Sequence, residues 1–313
     1  MESNEINVNT IISVLLQFFR KVDEFGKKIQ NGNIKNNVHI KEENQKYTDF
    51  DWLVQKSFEN VFQKYFPTIH ILGEEDTSID INISNDHELL KSMNDIDITK
   101  NFMSNEFTCT IPSNNTITIF IDPIDATNQL IKNNYEPVTV LIGICVNSKP
   151  FIGFIHYPFK TQSHPDNITI FNYPFKGIFS YVQSVKKIEC VPDAKWEFVI
   201  SSSRAKPSMI EFIKKFPNYG FNQASGLGNK AVEVILKDNV YFATGVSSVG
   251  YWDVCAADCI SREIGGGFYD FEGNDIQYEE KREYINKILF MVSNGTKKKG
   301  FIDMVKKYNF YSF

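Results

Sequence analysis

The chain has 313 residues, 42% hydrophobic and 14% aromatic, which is enough apolar side chain for the core of one large or two medium domains and excludes a disordered chain. A formal net charge of −5 excludes a general nucleic-acid surface, which needs a basic face to neutralise phosphates; the expected partner is a small molecule, not a nucleic-acid polymer. No stretch reaches the roughly 20 apolar residues of a membrane span, and five cysteines without regular spacing fit a reducing cytoplasm better than a disulfide framework.

Ile11, Ile12, Leu15, Leu16, Phe19, Val22 and Phe25 recur at three- and four-residue intervals and predict an amphipathic helix from Asn9 to about Ile29, stopped by Asn31-Gly32-Asn33. The run Ile11 to Phe19 lacks the basic flank and cleavage site of a secretory leader. A second helix is expected from Asp51 to Tyr65, broken by Pro67 ahead of the strand-like His70-Ile71-Leu72. Residues 76–115 are polar and Asn- and Asp-rich, and read as an elaborated loop or a pair of short elements without chemistry. The β-branched and aromatic run Thr116 to Ile121 is a strand that ends in Asp122-Pro123.

Further strands at Val138 to Val146, Phe151 to His156 and Ile178 to Val182 predict an antiparallel meander. After Lys187 the pattern changes. A strand at Phe198 to Ile200, a helix from Pro207 to Phe216, a Gly226-Leu227-Gly228 turn, a helix through Lys230 to Leu236, a strand at Val240 to Phe242 and a helix from Val254 to Ile264 alternate as an α/β layer does. A boundary near residue 185 divides the chain into an α+β N-terminal subdomain, 1–185, and an α/β C-terminal subdomain, 186–313. Cys255 and Cys259 fall one turn apart on the last of these helices, but a zinc site needs more ligands, and Ala256, Ala257 and Ile260 mark a packing surface. No feature of the sequence sets an oligomeric state.

Three acidic clusters follow strand-like runs or precede a helix: Gly73-Glu74-Glu75-Asp76, Asp122-Pro123-Ile124-Asp125-Ala126-Thr127 and Trp252-Asp253. Each has an ordinary reading by itself. Asp253 suits a helix N-cap, Glu74 and Glu75 suit solvated loop charges, and Asp122-Pro123 is a turn signal. Gly226, Gly228 and Lys230 are likewise ordinary loop and surface residues taken singly, and Gly265-Gly266-Gly267 is a helix stop. Together the acids offer several hard oxygen ligands at element ends, which is what magnesium needs in order to clamp a phosphate and lower the pKa of a bound water. The proline fixes the turn after Asp122, so that Asp122, Asp125 and the Ile124 carbonyl converge, and a helix starting near Ala126 adds N–H groups for an anion.

Gly-Glu-Glu at 73–75, Asp-Pro-Ile-Asp-Ala-Thr at 122–127, Gly-Leu-Gly-Asn-Lys at 226–230 and Trp-Asp-Val-Cys-Ala-Ala at 252–257 together resemble, in order and wide spacing, the lithium-sensitive inositol monophosphatase superfamily. The resemblance covers the chain from about Asp51 to Gly267 and implies a layered α-β-α-β-α sandwich. It implies Mg2+ as cofactor, with Glu74, Asp122 and the Ile124 carbonyl holding one ion and Asp122, Asp125 and Asp253 a second. Asp51 and Thr127 resemble the pair that activates the attacking water, and the N–H groups of Ala126 and Thr127 hold the phosphate. Most metal ligands then belong to the N-terminal subdomain, and substrate contacts with Asp253 to the C-terminal one. Ala126 stands where the family usually has glycine, which puts the backbone there in question.

Within the family, the long insert between Glu74 and Asp122 points away from compact monophosphatases, towards inositol polyphosphate 1-phosphatases and 3'(2'),5'-bisphosphate nucleotidases. Asp-Pro-Ile-Asp-Ala-Thr-Asn-Gln-Leu-Ile and Trp-Asp-Val-Cys-Ala-Ala look more like the 1-phosphatase form, which favours inositol 1,4-bisphosphate over 3'-phosphoadenosine 5'-phosphate. In either case Lys230 is expected to contact a second phosphate remote from the metals, with Ser202, Arg204, Gly226 and Gly228 as further substrate contacts. A protein that binds a phosphorylated ligand without turning it over is the alternative from another class, and the presence of every motif acid with Asp51 and Thr127 weighs against it. A site of oxygen ligands favours magnesium over softer ions, so phosphatase turnover is expected to vanish in excess chelator, return with magnesium and fall with lithium. Full activity in chelator refutes the ligand reading.

Overall fold

The computed structural model describes residues 5–41, 45–79, 81, 83–84, 86–190, 195–203, 205–242, 249–281, 284–285 and 289–310. Strand β1 (Glu5–Asn7) leads into α1 (Val8–Gln30), whose N-cap Asn7 side chain accepts from the Asn9 N–H at 2.8 Å. Every residue of α1 from Ile11 to Phe19 is buried, so its middle is a core helix instead of a half-exposed one. The cover comes from the polar insertion. Gln17 exchanges two hydrogen bonds with the Asp97 backbone, at 2.9 and 3.0 Å, and Ser13 accepts from the Phe102 N–H at 3.2 Å.

A two-stranded ribbon, β2 (Val38–Ile40) and β3 (Lys46–Thr48), precedes α2 (Asp49–Tyr65) and β4 (His70–Gly73). The insertion holds α3 (Glu88–Ser92), a 3-10 turn Met93–Asp95 and β5 (Thr110–Pro112), which pairs with β1. These are short elements, as expected, but Leu89, Leu90, Met93, Ile96, Met103 and Ile111 are buried, so the segment closes the core.

Next come β6 (Ile117–Asp125), the single turn α4 (Thr127–Leu130), β7 (Thr139–Val146), β8 (Lys149–Tyr157), β9 (Ile168–Tyr173), β10 (Gly177–Tyr181) and β11 (Val185–Ile188). They form a seven-stranded sheet in the order β11-β10-β9-β8-β7-β6-β4, antiparallel except for the β4–β6 pair. The sheet runs on to Ile188, past residue 185, because the lysine-bearing β11 pairs along the β10 edge. Strand β6 does not stop at Asp122: it continues through Pro123 to Asp125, with the register shifting between Asp122 and Asp125.

The second sheet is built from β12 (Trp196–Ser201), β13 (Tyr219–Ala224), β14 (Val240–Phe242), β15 (Gly267–Asp270) and β16 (Leu289–Val292), in the order β13-β12-β14-β16-β15. Its helices are α5 (Pro207–Ile213), α6 (Leu227–Lys237), α7 (Tyr251–Arg262) and α8 (Gly295–Lys307). Leu227 and Gly228 belong to the first turn of α6, not to a turn before it, and α7 starts earlier than Val254, so that Asp253 sits inside its first turn.

Helices α1 and α2 cover one face of the large sheet, α6 and α7 lie between the two sheets, and α5 and α8 pack on the outer side of the small one. This is the expected layered α-β-α-β-α sandwich. Strand periodicity sorts the residues: Ile117, Ile119 and Ile121 join the α1–α2 core while Phe120 faces α7, so Asp122 also falls on the α7 face. Gly143 and Gly153 are direct cross-strand partners on that face. A methyl group at Gly143 would sit 2.5 Å from the Cys255 Sγ, and one at Gly153 would collide with the Ala256 carbonyl. The glycine pair is thus the trough in which α7 lies, with Cys145 and Cys255 sulfurs 3.4 Å apart beside it.

Gly153→Ala is expected to lower stability by about 1–3 kcal/mol through overpacking against the α7 backbone. Gly265→Ala, which meets open space at φ +84°, carries only the conformational cost of roughly 1 kcal/mol. Urea midpoints of the two variants check this order.

Candidate active site

Helix α2 begins with a reciprocal cap. The Thr48 N–H (2.9 Å) and hydroxyl (2.5 Å) both donate to Asp51 Oδ2, which holds Asp51 at the third helical position with its carboxylate turned back to the helix start. Thr127 Oγ1 lies 2.8 Å from Asp51 Oδ1 and 2.9 Å from the Ile124 carbonyl. Asp51 is fully buried, and burial raises its pKa to about 6 against the lowering effect of the Thr48 and Thr127 hydrogen bonds. Only through Thr127 does it reach the cavity, because it does not itself line the wall.

Glu74 follows β4, its N–H donating to the Ile121 carbonyl at 3.0 Å, which extends the parallel β4–β6 pairing by one step and aligns it with the end of β6. Asp122 is 2% exposed and accepts from the Ile124 N–H at 3.1 Å. Burial raises its pKa well above the ordinary carboxylate range, and Glu74, Asp125, Asp253 and Asp51 push the same way. Asp125 is also raised by burial, but Lys230 and the N–H groups at the start of α6 oppose the shift; Gly228 N–H donates to it at 2.7 Å and Thr139 Oγ1 at 3.2 Å. Asp253, at the third position of α7, accepts from the Gly250 N–H.

These residues meet in a cavity of about 400 Å³. Its wall includes Glu74, Asp122, Ile124, Asp125, Ala126, Thr127, Gly226, Lys230 and Asp253, so most of the site residues named from the sequence come together. Ser202 is outside the wall but hydrogen-bonds at 2.7 Å to Ser225, which is in it. Gly228 spends its N–H on Asp125, which makes it a support for that acid. Arg204 lies outside the described residues. Lys230 is not remote from the acids: it steadies the Asp125 charge, donates to the Gly226 carbonyl at 2.7 Å and lies 5.1 Å from the Tyr241 ring centroid.

Ala126 has φ +69°, in the left-handed region, and begins the α4 turn. That accounts for the glycine usual at this place in the family, since alanine adopts the region at a cost of about 1–2 kcal/mol. Gly226, at φ +74°, has no such latitude, because a side chain there would sit 2.5 Å from the Pro137 carbonyl.

Sequence reasoning missed Lys41, Gln129, Ser225, Tyr241 and Tyr284, and placed Glu75 and Trp252 in motifs without giving them a role. Glu75 is buried, with Gln55 gripping its N–H and carbonyl at 2.8 and 2.7 Å. Burial and the neighbouring Glu74 and Asp51 push its carboxyl up to about 8, against the Lys41 ammonium 2.5 Å away. Lys41 also reaches Glu74 at 3.3 Å. Nothing in the β2–β3 ribbon sequence signals this pairing.

The donor set suits a hard divalent cation. It consists of carboxylates and a carbonyl, and Asp122 has other acids as its strongest electrostatic neighbours, a charge distribution that a cation relieves. The side chains do not already converge on one point, and among the described residues no three of His, Cys, Asp or Glu have metal-holding geometry. Asp125 and Asp253 each give an oxygen to a backbone N–H instead.

The sequence profile of the inositol monophosphatase family matches residues 11–308. The chain belongs to that family, and it is a phosphatase. It is 25% identical over 243 residues to 3'(2'),5'-bisphosphate nucleotidase 1 of Rattus norvegicus, covering 76% of each chain. It is 27% identical over 246 residues to inositol monophosphatase 3 of Xenopus laevis, covering 75% of this chain and 64% of that one. Among solved structures, staphylococcal IMPase-I complexed with products superposes with a TM-score of 0.68 at 13% identity over 98% of both chains. An IMPase/NADP phosphatase complexed with Mg2+ and phosphate gives 0.63 at 14% identity, over 93% of this chain and 95% of that one. The described part of this chain has no helix long and apolar enough to cross a membrane.

Asp122→Asn is expected to cut phosphatase turnover at least about a hundredfold, the scale of a lost metal-site interaction. Its melting temperature in chelator should be no lower than the parent's, because the amide removes repulsion. Thr127→Ala and Asp51→Asn should each cost about 100-fold or more, and the double variant hardly more than either, since the two act as one unit. Multiplying losses in the double variant rule out the relay.

Proposed function

We propose that this phosphatase is a magnesium-dependent 3'(2'),5'-bisphosphate nucleotidase, removing the ribose 3'- or 2'-phosphate from a nucleotide such as 3'-phosphoadenosine 5'-phosphate. The observation that carries this reading is the aromatic wall. Tyr241, Trp252 and Tyr284 line the cavity that holds the acids, and Tyr284 is 39% exposed, packed edge-on against Trp252 with ring centroids 5.4 Å apart. An adenine gains much of its affinity by stacking, and Tyr284 is the ring open to it, with Tyr241 and Trp252 buried around it. The match to the rat nucleotidase supports the same choice.

The second reading is the inositol polyphosphate 1-phosphatase that the central motif favours. The polar side of the cavity supports it: Ser201, Ser203, Ser225 and Gln129 line the wall, with Gln129 Nε2 donating to Ser225 at 3.2 Å, groups suited to ring hydroxyls. An inositol polyphosphate 1-phosphatase is not among the relatives described above.

Glu74, Asp122, Asp125, Asp253 and the Ile124 carbonyl would hold magnesium. When bound, the metal neutralises phosphate charge and supplies a water of lowered pKa. A water at Thr127 Oγ1 passes its proton to that hydroxyl, whose own proton goes to Asp51 Oδ1, 2.8 Å away. A carboxyl with a pKa of about 6 accepts it at neutral pH, because most of the population is ionised there. The Ala126 and Thr127 N–H groups hold phosphate oxygens as charge develops. Lys230, already beside Asp125, adds positive charge to the same wall.

With magnesium, kcat/KM for 3'-phosphoadenosine 5'-phosphate should exceed that for inositol 1,4-bisphosphate by at least about tenfold, roughly 1.4 kcal/mol of transition-state preference. Tyr284→Ala should raise KM about tenfold for the nucleotide and leave the inositol substrate unchanged, since stacking is worth about 1–3 kcal/mol per base. A higher kcat/KM for the inositol substrate installs the second reading.

A further inference from the structure

A second cavity, of about 780 Å³, shares no lining residue with the acidic one. Residues 101–107 of the insertion form one side, and β10 with the start of β11 forms the other. Its walls are rings. Phe107 meets Phe179 edge-on with centroids 5.5 Å apart, and Phe102 meets Tyr181 in the same way at 5.5 Å. Lys176 and Lys187, both exposed, line the cavity together with a single acid, Glu106.

More positive charge stands behind the walls. The Arg20 guanidinium carbon is 5.2 Å from the Tyr181 ring centroid and 5.4 Å from that of Phe102, and Lys100 Nζ is 5.1 Å from the Phe102 centroid. Asp23 is near enough to Tyr181 to act on it and Glu263 accepts from the Gly177 N–H beside Lys176, so four cations stand against Glu106, Asp23 and Glu263.

Tyr181 is 4% exposed and lines the cavity with its ring, while the Arg20 guanidinium acts on its hydroxyl by charge and hydrogen bonding. The rings and the two exposed lysines are therefore the groups this cavity offers a ligand.

We propose that this cavity binds a small aromatic anion, its ring held by Phe102, Phe107, Phe179 and Tyr181 and its charge by Lys176 and Lys187. The volume falls within the range of small-molecule sites, and flat rings with cations at the rim select an aromatic over an aliphatic anion. The site ties the insertion to the β10–β11 hairpin, so the ligand bridges two parts of the chain distant in sequence.

The test titrates the full-length protein with anilinonaphthalene sulfonate, a fluorescent aromatic anion, in the presence of excess inorganic phosphate. Saturation at one site per chain is expected. Lys187→Glu and Lys176→Glu should each weaken binding by about fivefold or more, and Lys306→Glu on α8 should change nothing. Phenylnaphthylamine, which keeps the rings without the sulfonate, should bind about tenfold less tightly. No saturation below millimolar probe overturns the site, as does displacement by phosphate or affinity unchanged in both Lys187→Glu and Lys176→Glu. Equal binding of the neutral probe overturns the anion assignment.

Discussion

Asp122 is buried among Glu74, Asp125, Asp253 and Asp51, and gathering that much negative charge in one place is the task to which the surrounding backbone is fitted. Two like charges 4 Å apart repel by about 4 kcal/mol at an effective dielectric of 20, whereas one hydrogen bond to a charged group returns about 1.5–3 kcal/mol. A single donor per acid therefore does not settle the site. Asp51 has the Thr48 N–H, the Thr48 hydroxyl and Thr127; Asp125 has the Gly228 N–H, Thr139 and Lys230; Asp253 has the Gly250 N–H; Glu74 and Glu75 share Lys41. Asp122 keeps one backbone N–H against four acids, and it is the one shifted well above the ordinary range. A divalent cation against Asp122 removes that imbalance.

The helices deliver these donors in a repeated way. Asp51 and Asp253 both stand at the third position of a helix, each carboxylate turned back onto the N–H of the capping residue, and Asp125 receives its donor from the first turn of α6. Three helix starts thus supply N–H donors to these acids, and the positive ends of their dipoles favour the charged carboxylates. The α7 start comes close to β6 and β7 because Gly143 and Gly153 let the helix lie directly on the sheet. A side chain at either position would lift α7 and carry Asp253 away from Asp122.

The acids and the rings that line the cavity come from different elements. The acids and Thr127 come from motifs tied to strand ends and helix starts, while the aromatic wall comes from Tyr241 on β14, Trp252 on α7 and Tyr284 beside the Gly250 bridge.

Local pattern marked most strands of the antiparallel meander and the acids Glu74, Asp122, Asp125 and Asp253 at element ends, because period-2 runs and their ends are signals read without knowing any partner, but it left out β9, which lies between β8 and β10. The layered sandwich and the oddity of Ala126 came from the family resemblance, and the left-handed backbone at Ala126 is the physical reason for the latter. Local pattern did not reveal that β6 runs through Pro123, that Leu227 and Gly228 are already helical, or that β11 carries the first sheet past residue 185, since each depends on a neighbouring strand or helix supplying the missing pairing. Lys41 against Glu75, Gly228 against Asp125, Lys230 beside the acids and the ring wall at Tyr284 are contacts between residues far apart in the chain. A side chain's local sequence states what chemistry it carries; which charge it meets, and whether water remains around it, is decided only when the sheet and α7 close on one another.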